Sequence, residues 1–220
     1  MRAKFDRQLD LLNSELIEMG DMCVNAISSV VMGLFETNVA VGDKLTDFEN
    51  QINHKEREIE GLCMRLLLQQ QPVARDLRTI SSALKMISDM ERIGDQAFDI
   101  AEILGVVGSE RIKGAEHISE MAQAAIKMVT DSVQSFVNKD IDLVKKVISY
   151  DDVVDELFVN VKKELIKTIT ENPEKGEVCL DFLMIAKYFE RIGDHATNIA
   201  QWVEYSITGK HMDNMGNIEE

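Results

Sequence analysis

The sequence predicts an all-α fold: six helices forming two tandem, pseudo-symmetric three-helix bundles that each run up, down and up. Three observations carry this expectation. Apolar residues recur at three and four spacings almost throughout the 220 residues, which is the helical period, and no convincing run alternates with period two. The pentapeptide Glu-Arg-Ile-Gly-Asp stands at 91–95 and again at 190–194, which points to an internal duplication. The only two prolines, Pro72 and Pro173, fall in corresponding turns, where proline cannot continue the preceding helix.

The first helix is expected from Lys4 to Asn38, until Gly42 and Asp43 stop it and cap the next. The second runs from Asp43 to Gln70, before Pro72. The third, Arg75 to Leu104, carries the first pentapeptide and sets Ile93, Ala97, Ile100 and Leu104 on its apolar side. The stretch GVVGSERIKG, with three glycines, then reads as the inter-domain connection and divides the chain into 1–107 and 108–220. The fourth helix, Ala115 to Asn138, ends at Asn138-Lys139-Asp140. The fifth, Asp142 to Thr170, has an apolar face of Val154, Phe158, Val161 and Leu165. The sixth, Val178 to Thr208, carries the second pentapeptide, with Ile192, Ala196, Ile199 and Val203 opposite its acids.

An offset of 99 residues registers the two pentapeptides and also pairs Ala26 with Ala125, Val30 with Val129 and Asp43 with Asp142. The prolines are 101 apart, so a small insertion is expected in the second half's middle helix or its flanking turns.

Composition narrows the function. With 39 acidic and 24 basic side chains, the net charge of -15 repels nucleic acid and anionic lipid and attracts cations. Aromatic residues are only 5%, a balance that suits packed helices. Cys23, Cys63 and Cys179 are odd in number and form no CxxC pair, as expected of reduced thiols in a cytosolic protein. The start, MRAKFDRQLD, lacks the apolar stretch of a signal peptide. The longest uncharged run, Met22 to Phe35, falls short of the roughly 20 residues that cross a bilayer, so no membrane span is expected.

The acids themselves suggest a site. On a helix, Glu91, Asp95 and Asp99 share one stripe, and Glu190, Asp194 and Asn198 share the equivalent one; both are expected to face outward. Like charges four apart destabilise a helix by about 0.2–0.5 kcal/mol, and a helical glycine costs about 1 kcal/mol more. Both features occur twice. A hard cation bridging the carboxylates would offset the repulsion. The glycine beside each stripe would admit either a neighbouring helix or a metal site. Level matching of antiparallel helices brings in the middle helices, with Asp151 and Asp155 in the second half and Glu49 and Asn53 in the first. The simpler reading, a solvated face of an amphipathic helix, stays open.

Enzyme motifs are missing. None of the four histidines has Glu three residues before it, as di-iron bundle enzymes require, and GxxxxGK[ST], GxGxxG and GxSxG are absent. The expectation is a protein without catalytic activity. His195 follows Asp194 directly and could be a ligand, although a packed histidine is the commoner case.

At this point the motifs resemble a family. ERIGDQAFDIAE and ERIGDHATNIAQ, with QQPVARDLR before the third helix and DDVVDEL in the fifth, resemble the PhoU family of phosphate-uptake regulators over nearly the whole chain. The resemblance implies two tandem three-helix bundles, a homodimer, and a metal cluster on each bundle held through E/D-x-x-x-D motifs. Those motifs fall on Glu91 and Asp95, Glu190 and Asp194, and Asp151 and Asp155. Asn53 and Asn198 stand where acids are expected. The metal implied is iron or zinc, with Mg or Mn as alternatives.

The role implied is an adaptor linking the phosphate ABC transporter to a sensor histidine kinase. Such a protein represses the phosphate-starvation response when phosphate is plentiful. It would be cytoplasmic and meet the inner face of the membrane only through protein partners. A carboxylate-cluster metalloenzyme and a metal-free helical scaffold are the competing readings.

Overall fold

The computed structural model describes residues 2–35, 41–69, 72–108 and 115–210. They form α1 (Arg2–Phe35), α2 (Val41–Gln69), α3 (Ala74–Val107), α4 (Ala115–Asn138), α5 (Ile141–Glu171) and α6 (Gly176–Thr208). A 3-10 turn, Pro173–Lys175, leads into α6. No strand occurs among the described residues. The all-α architecture in two tandem halves is as the sequence implies.

Helix ends follow local chemistry. The Asp140 side chain accepts from the Asp142 and Leu143 amides at 3.0 Å each, so α5 begins at Ile141, one residue before its expected start. Lys139 just before it takes a positive φ of 53°, which ends α4 at Asn138 as expected. Pro173 occupies the first position of the 3-10 turn, where its missing N–H costs nothing, and α6 follows at Gly176 instead of Val178. In the first half α3 continues through Gly105 to Val107 and stops at Gly108, with φ 63°. The expected connection therefore starts three residues later, and its remainder, 109–114, lies outside the described residues, as do 36–40 and 70–71.

The four helices α1, α3, α4 and α6 form an inner layer, with α2 packed outside α1 and α3, and α5 outside α4 and α6. Across the middle, α3 meets α6 and α1 meets α4. One contiguous hydrophobic core runs through both halves. Burial reflects position: α3, covered on two sides, buries fourteen residues, whereas the outer α5 buries six. Small buried residues recur on two of the inner helices, at Ala83, Gly94, Ala97 and Ala101 on α3 and at Ala186, Gly193, Ala196 and Ala200 on α6.

Buried positions locate the insertion. Ile52, Ile59 and Cys63 of α2 correspond to Val154, Val161 and Leu165 of α5 at an offset of 102. The extra residues therefore lie between Asp142 and Val154, at the start of α5. This register aligns Glu49 with Asp151 and Asn53 with Asp155.

Among the described residues, α1 is the one helix long and apolar enough, by length and composition, to cross a membrane. Scattered charges interrupt its apolar stretch, so no uncharged run of spanning length marks it in the sequence. Here its Leu12, Leu16, Met19, Cys23, Ile27 and Val30 are fully buried in the core. All three cysteines are buried and unbridged. Cys23 donates to the Met90 carbonyl at 3.3 Å, and burial pushes its thiol up to about 12, which leaves it unreactive.

Candidate metal centre

The glycines of the two pentapeptides set the geometry of the two faces. A Cβ at Gly94 would lie 2.9 Å from Ile52 Cδ1 and 3.3 Å from its Cγ2, so this glycine lets α2 pack closely on α3. At Gly193 the added Cβ would instead meet Asp151 Oδ1 at 3.3 Å and Val154 at 3.5 Å. The second glycine thus cradles a carboxylate against the α6 backbone.

In the first half, Glu49 of α2 faces Asp95, Glu102 and Asp99 of α3. Burial, then those three charges in that order, raise its carboxyl above the usual range. Glu91 is raised by burial and by Asp95, with Glu56 and Glu49 adding to it. Arg92 lies over the same acids, 3.3 Å from Asp95 and 3.5 Å from Glu91. Asp99 is raised by burial, Asp95 and Glu102, against the opposing effect of Arg191 and of the nearby Tyr188 hydroxyl of α6.

In the second half, Asp151 of α5 faces Asp194, Asp155 and Glu190. Burial, followed by those charges, pushes it up to about 6. Asp194 is raised by burial and by Glu190, with Asp155 contributing. Lys187 is hydrogen-bonded to Glu190. The Thr197 hydroxyl lies buried beside Asp151 and lowers its carboxyl slightly, without forming a well-aligned hydrogen bond.

The pentapeptide acids are not simply outward. The side chains of Glu91, Asp95 and Glu190 are 22%, 28% and 15% exposed, and they look toward α2 or α5 along the seam between helices. Asp155 and Asp194 are exposed at the rim. The outward expectation fails for Glu91, Asp95 and Glu190, because the seam falls at the edge of the apolar stripe and the bundle covers it from one side.

Two residues stand apart. Asn53 is half-buried and makes no side-chain hydrogen bond to these carboxylates among the described residues. Asn198 turns across the midline, donating to Asp89 Oδ1 at 3.2 Å, where His195 Nδ1 also arrives at 2.9 Å. Conversely, Glu56 and Glu102 join the first acidic face although neither was a candidate. Glu102 falls on the Glu91 stripe by helical spacing; Glu56 could be found only by placing α2 against α3.

Among the described residues, no three Asp, Glu, His or Cys side chains converge closely enough to grip an ion as they stand. The donor set nevertheless suits a hard cation. Carboxylates from two helices meet at one level in each half, they hold one another's protonation up, and a glycine leaves room for Asp151.

A PhoU domain is matched twice along the chain, over residues 16–104 and 118–203, each copy ending within the helix that carries its pentapeptide. The chain belongs to the PhoU family. A relative from Clostridium acetobutylicum named "Phosphate-specific transport system accessory protein PhoU homolog" is 34% identical, over 96% of this chain and 98% of its own length. The PhoU homolog of Pseudomonas aeruginosa is 32% identical over 97% of this chain and 89% of its own. The crystal structure of P. aeruginosa PhoU superposes with a TM-score of 0.87, covering 93% of this chain and 99% of that one. The Streptococcus pneumoniae PhoU structure, 24% identical, shares the fold with a TM-score of 0.86 over 95% and 99%.

Proposed function

We propose that this PhoU-family chain is an accessory regulator of phosphate uptake that acts through protein contacts and carries metal ions on its two carboxylate seams. In this reading it links a phosphate ABC transporter to a sensor histidine kinase and keeps the phosphate-starvation response off when phosphate is plentiful. Full-length relatives named as accessory proteins of phosphate-specific transport support the first part.

One observation carries the metal part: in both halves, acids from the middle helix meet the pentapeptide acids at one level and raise each other's proton affinity. Such an arrangement costs stability without a counter-charge. Iron or zinc would be held by Glu49, Glu91, Asp95 and Asp99 in the first half and by Asp151, Asp155, Glu190 and Asp194 in the second. When bound, the ion supplies the positive charge that fixes these side chains. The chain's own residues hold α2 to α3 and α5 to α6, so ligation would stiffen the outer helices on which partners can dock.

Elemental analysis of protein purified without chelator tests the metal part; a chain free of iron, zinc, manganese and magnesium contradicts it and favours the metal-free scaffold, which the lack of a converged triad also allows. Deletion of the gene tests the regulatory part, with derepression of phosphate-starvation genes in phosphate-rich medium expected and unchanged repression counting against it.

A further inference from the structure

The seam between α3 and α6 holds a pair of contacts related by the duplication. Asp99 lies beside the Tyr188 hydroxyl, and Asp89 accepts from Asn198. At the 99-residue offset, position 99 becomes 198 and position 89 becomes 188, so the two contacts are one contact seen twice with donor and acceptor exchanged. In one, the later residue of the stripe supplies the acid and Tyr188 the donor; in the other, Asn198 is the donor and Asp89 the acid. His195 strengthens the second contact at 2.9 Å from the same Asp89 oxygen. Its counterpart Gln96 is buried, with an unpartnered Oε1 among the described residues.

We propose that these exchanged contacts are a matched lock that specifies pairing of the first half with the second, with Asn198 and Tyr188 as its donors, and that Asn198 serves this lock and not a metal. Pairing two copies of α3 by the same geometry would set Asp89 against Asp99 twice, carboxylate on carboxylate. Pairing α3 with α6 leaves each acid a donor. An Asp at 198, which would complete the acidic stripe of the second half, would face Asp89 directly. The amide at 198 is therefore required by its partner across the midline. The lock stands without metal; only the exclusion of Asn198 from the ligand set rests on the metal reading above.

The test is a swap on the full chain after chelator treatment. Asn198→Asp is expected to lower the thermal midpoint by about 4 °C, Asp89→Asn by about 2 °C, and the double variant, which restores the pair in reverse, by no more than about 1 °C. A double variant that falls by the sum of the singles overturns the lock, as does an Asn198→Asp protein as stable as the parent. If Asn198→Asp alone fails to fold, soluble double variant supports the lock and an equally insoluble one overturns it. For the ligand clause, Asn198→Ala is expected to take up as much zinc or iron per chain as the parent, while Asp194→Ala takes up less. Equal loss in both variants overturns that clause. A parent that binds no metal defeats the metal reading alone, since the midpoints still decide the lock.

Discussion

In the first half a glycine admits a neighbour's isoleucine; in the second, the same glycine admits a neighbour's aspartate. Gly94 lies under Ile52, whereas Gly193 lies under Asp151 and Val154. The repeats therefore spent one inherited backbone feature on different ends, close packing in one case and a recessed carboxylate in the other. The burial of Asp151 makes it the most perturbed of the seam acids, at about 6, while Glu49, its counterpart, is raised less, by its own burial first and then by the acids of α3. Duplicated sequence preserves the register of a site but not its depth.

A second contrast lies on the middle helices. Lys55 of α2 is buried with Glu15 and Glu18 at 2.9 Å and Glu58 at 3.3 Å, whereas its counterpart on α5 at the 102 offset is Leu157, packed on the core. Its hydrogen bonds to those glutamates raise its ammonium's affinity for the proton against the opposing effect of burial. Replacing it with the apolar solution of the other half, Lys55→Met, leaves three facing glutamates and is expected to cost about 2–3 kcal/mol at neutral pH. Denaturant unfolding at pH 7 checks this; a variant as stable as the parent would mean that the halves differ here in name only.

The glycines come next in size. Gly94→Ala forces Ile52 aside in a packed core and, after the helix-propensity gain of alanine, is expected to cost about 1–2 kcal/mol. Gly193→Ala has only a carboxylate tip and a valine methyl to shift, and is expected to fall within about 0.5 kcal/mol of the parent in unfolding, while lowering metal uptake by pushing Asp151 outward. Equal effects of the two substitutions on stability would erase the distinction between the halves.

Asp151→Asn is expected to change stability with the opposite sign. The Asp151 carboxyl holds its proton up to about pH 6, above its ordinary 3.8, so the folded state binds more protons than the unfolded one in that window. The metal-free protein is thus most stable, as far as this group goes, below about pH 4, and loses stability as pH rises through the interval to about 6. Asn removes that loss. Because the side chain is half-exposed, the gain at pH 7 is expected to be about 1 kcal/mol after solvent screening, and absent at pH 4. Melts of chelator-treated protein at the two pH values check it.

Much of this was legible in the sequence and some was not. Helical period and the Asn138-Lys139-Asp140 turn marked the end of α4 at Asn138, and the shared pentapeptide announced two halves. The level match of Glu49 with Asp95 and of Asp151 with Asp194 followed from helix geometry, since antiparallel neighbours at equal depth must meet. What required the structure was everything set by helices distant in sequence. Asn198 reads as a weakened ligand until α6 is laid on α3 and its amide finds Asp89. Glu56 is one more surface acid of α2 until Glu91 stands across from it. Nor does glycine reveal which neighbour fills its space, because Ile52 and Val154 occupy the same register, each with an acid one turn before it, yet Ile52 fills the space in one half and Asp151 with Val154 in the other.

The two seams are proposed to hold metal through their facing carboxylates. The most direct measurement of this is the metal content per chain, by elemental analysis, of protein purified without chelator, beside Asp95→Ala, Asp194→Ala and the double variant. The account predicts bound transition metal in the parent, a partial loss in each single variant and loss from both halves in the double. Metal content unchanged in the double variant, or no metal in the parent under iron- or zinc-replete growth, would contradict it.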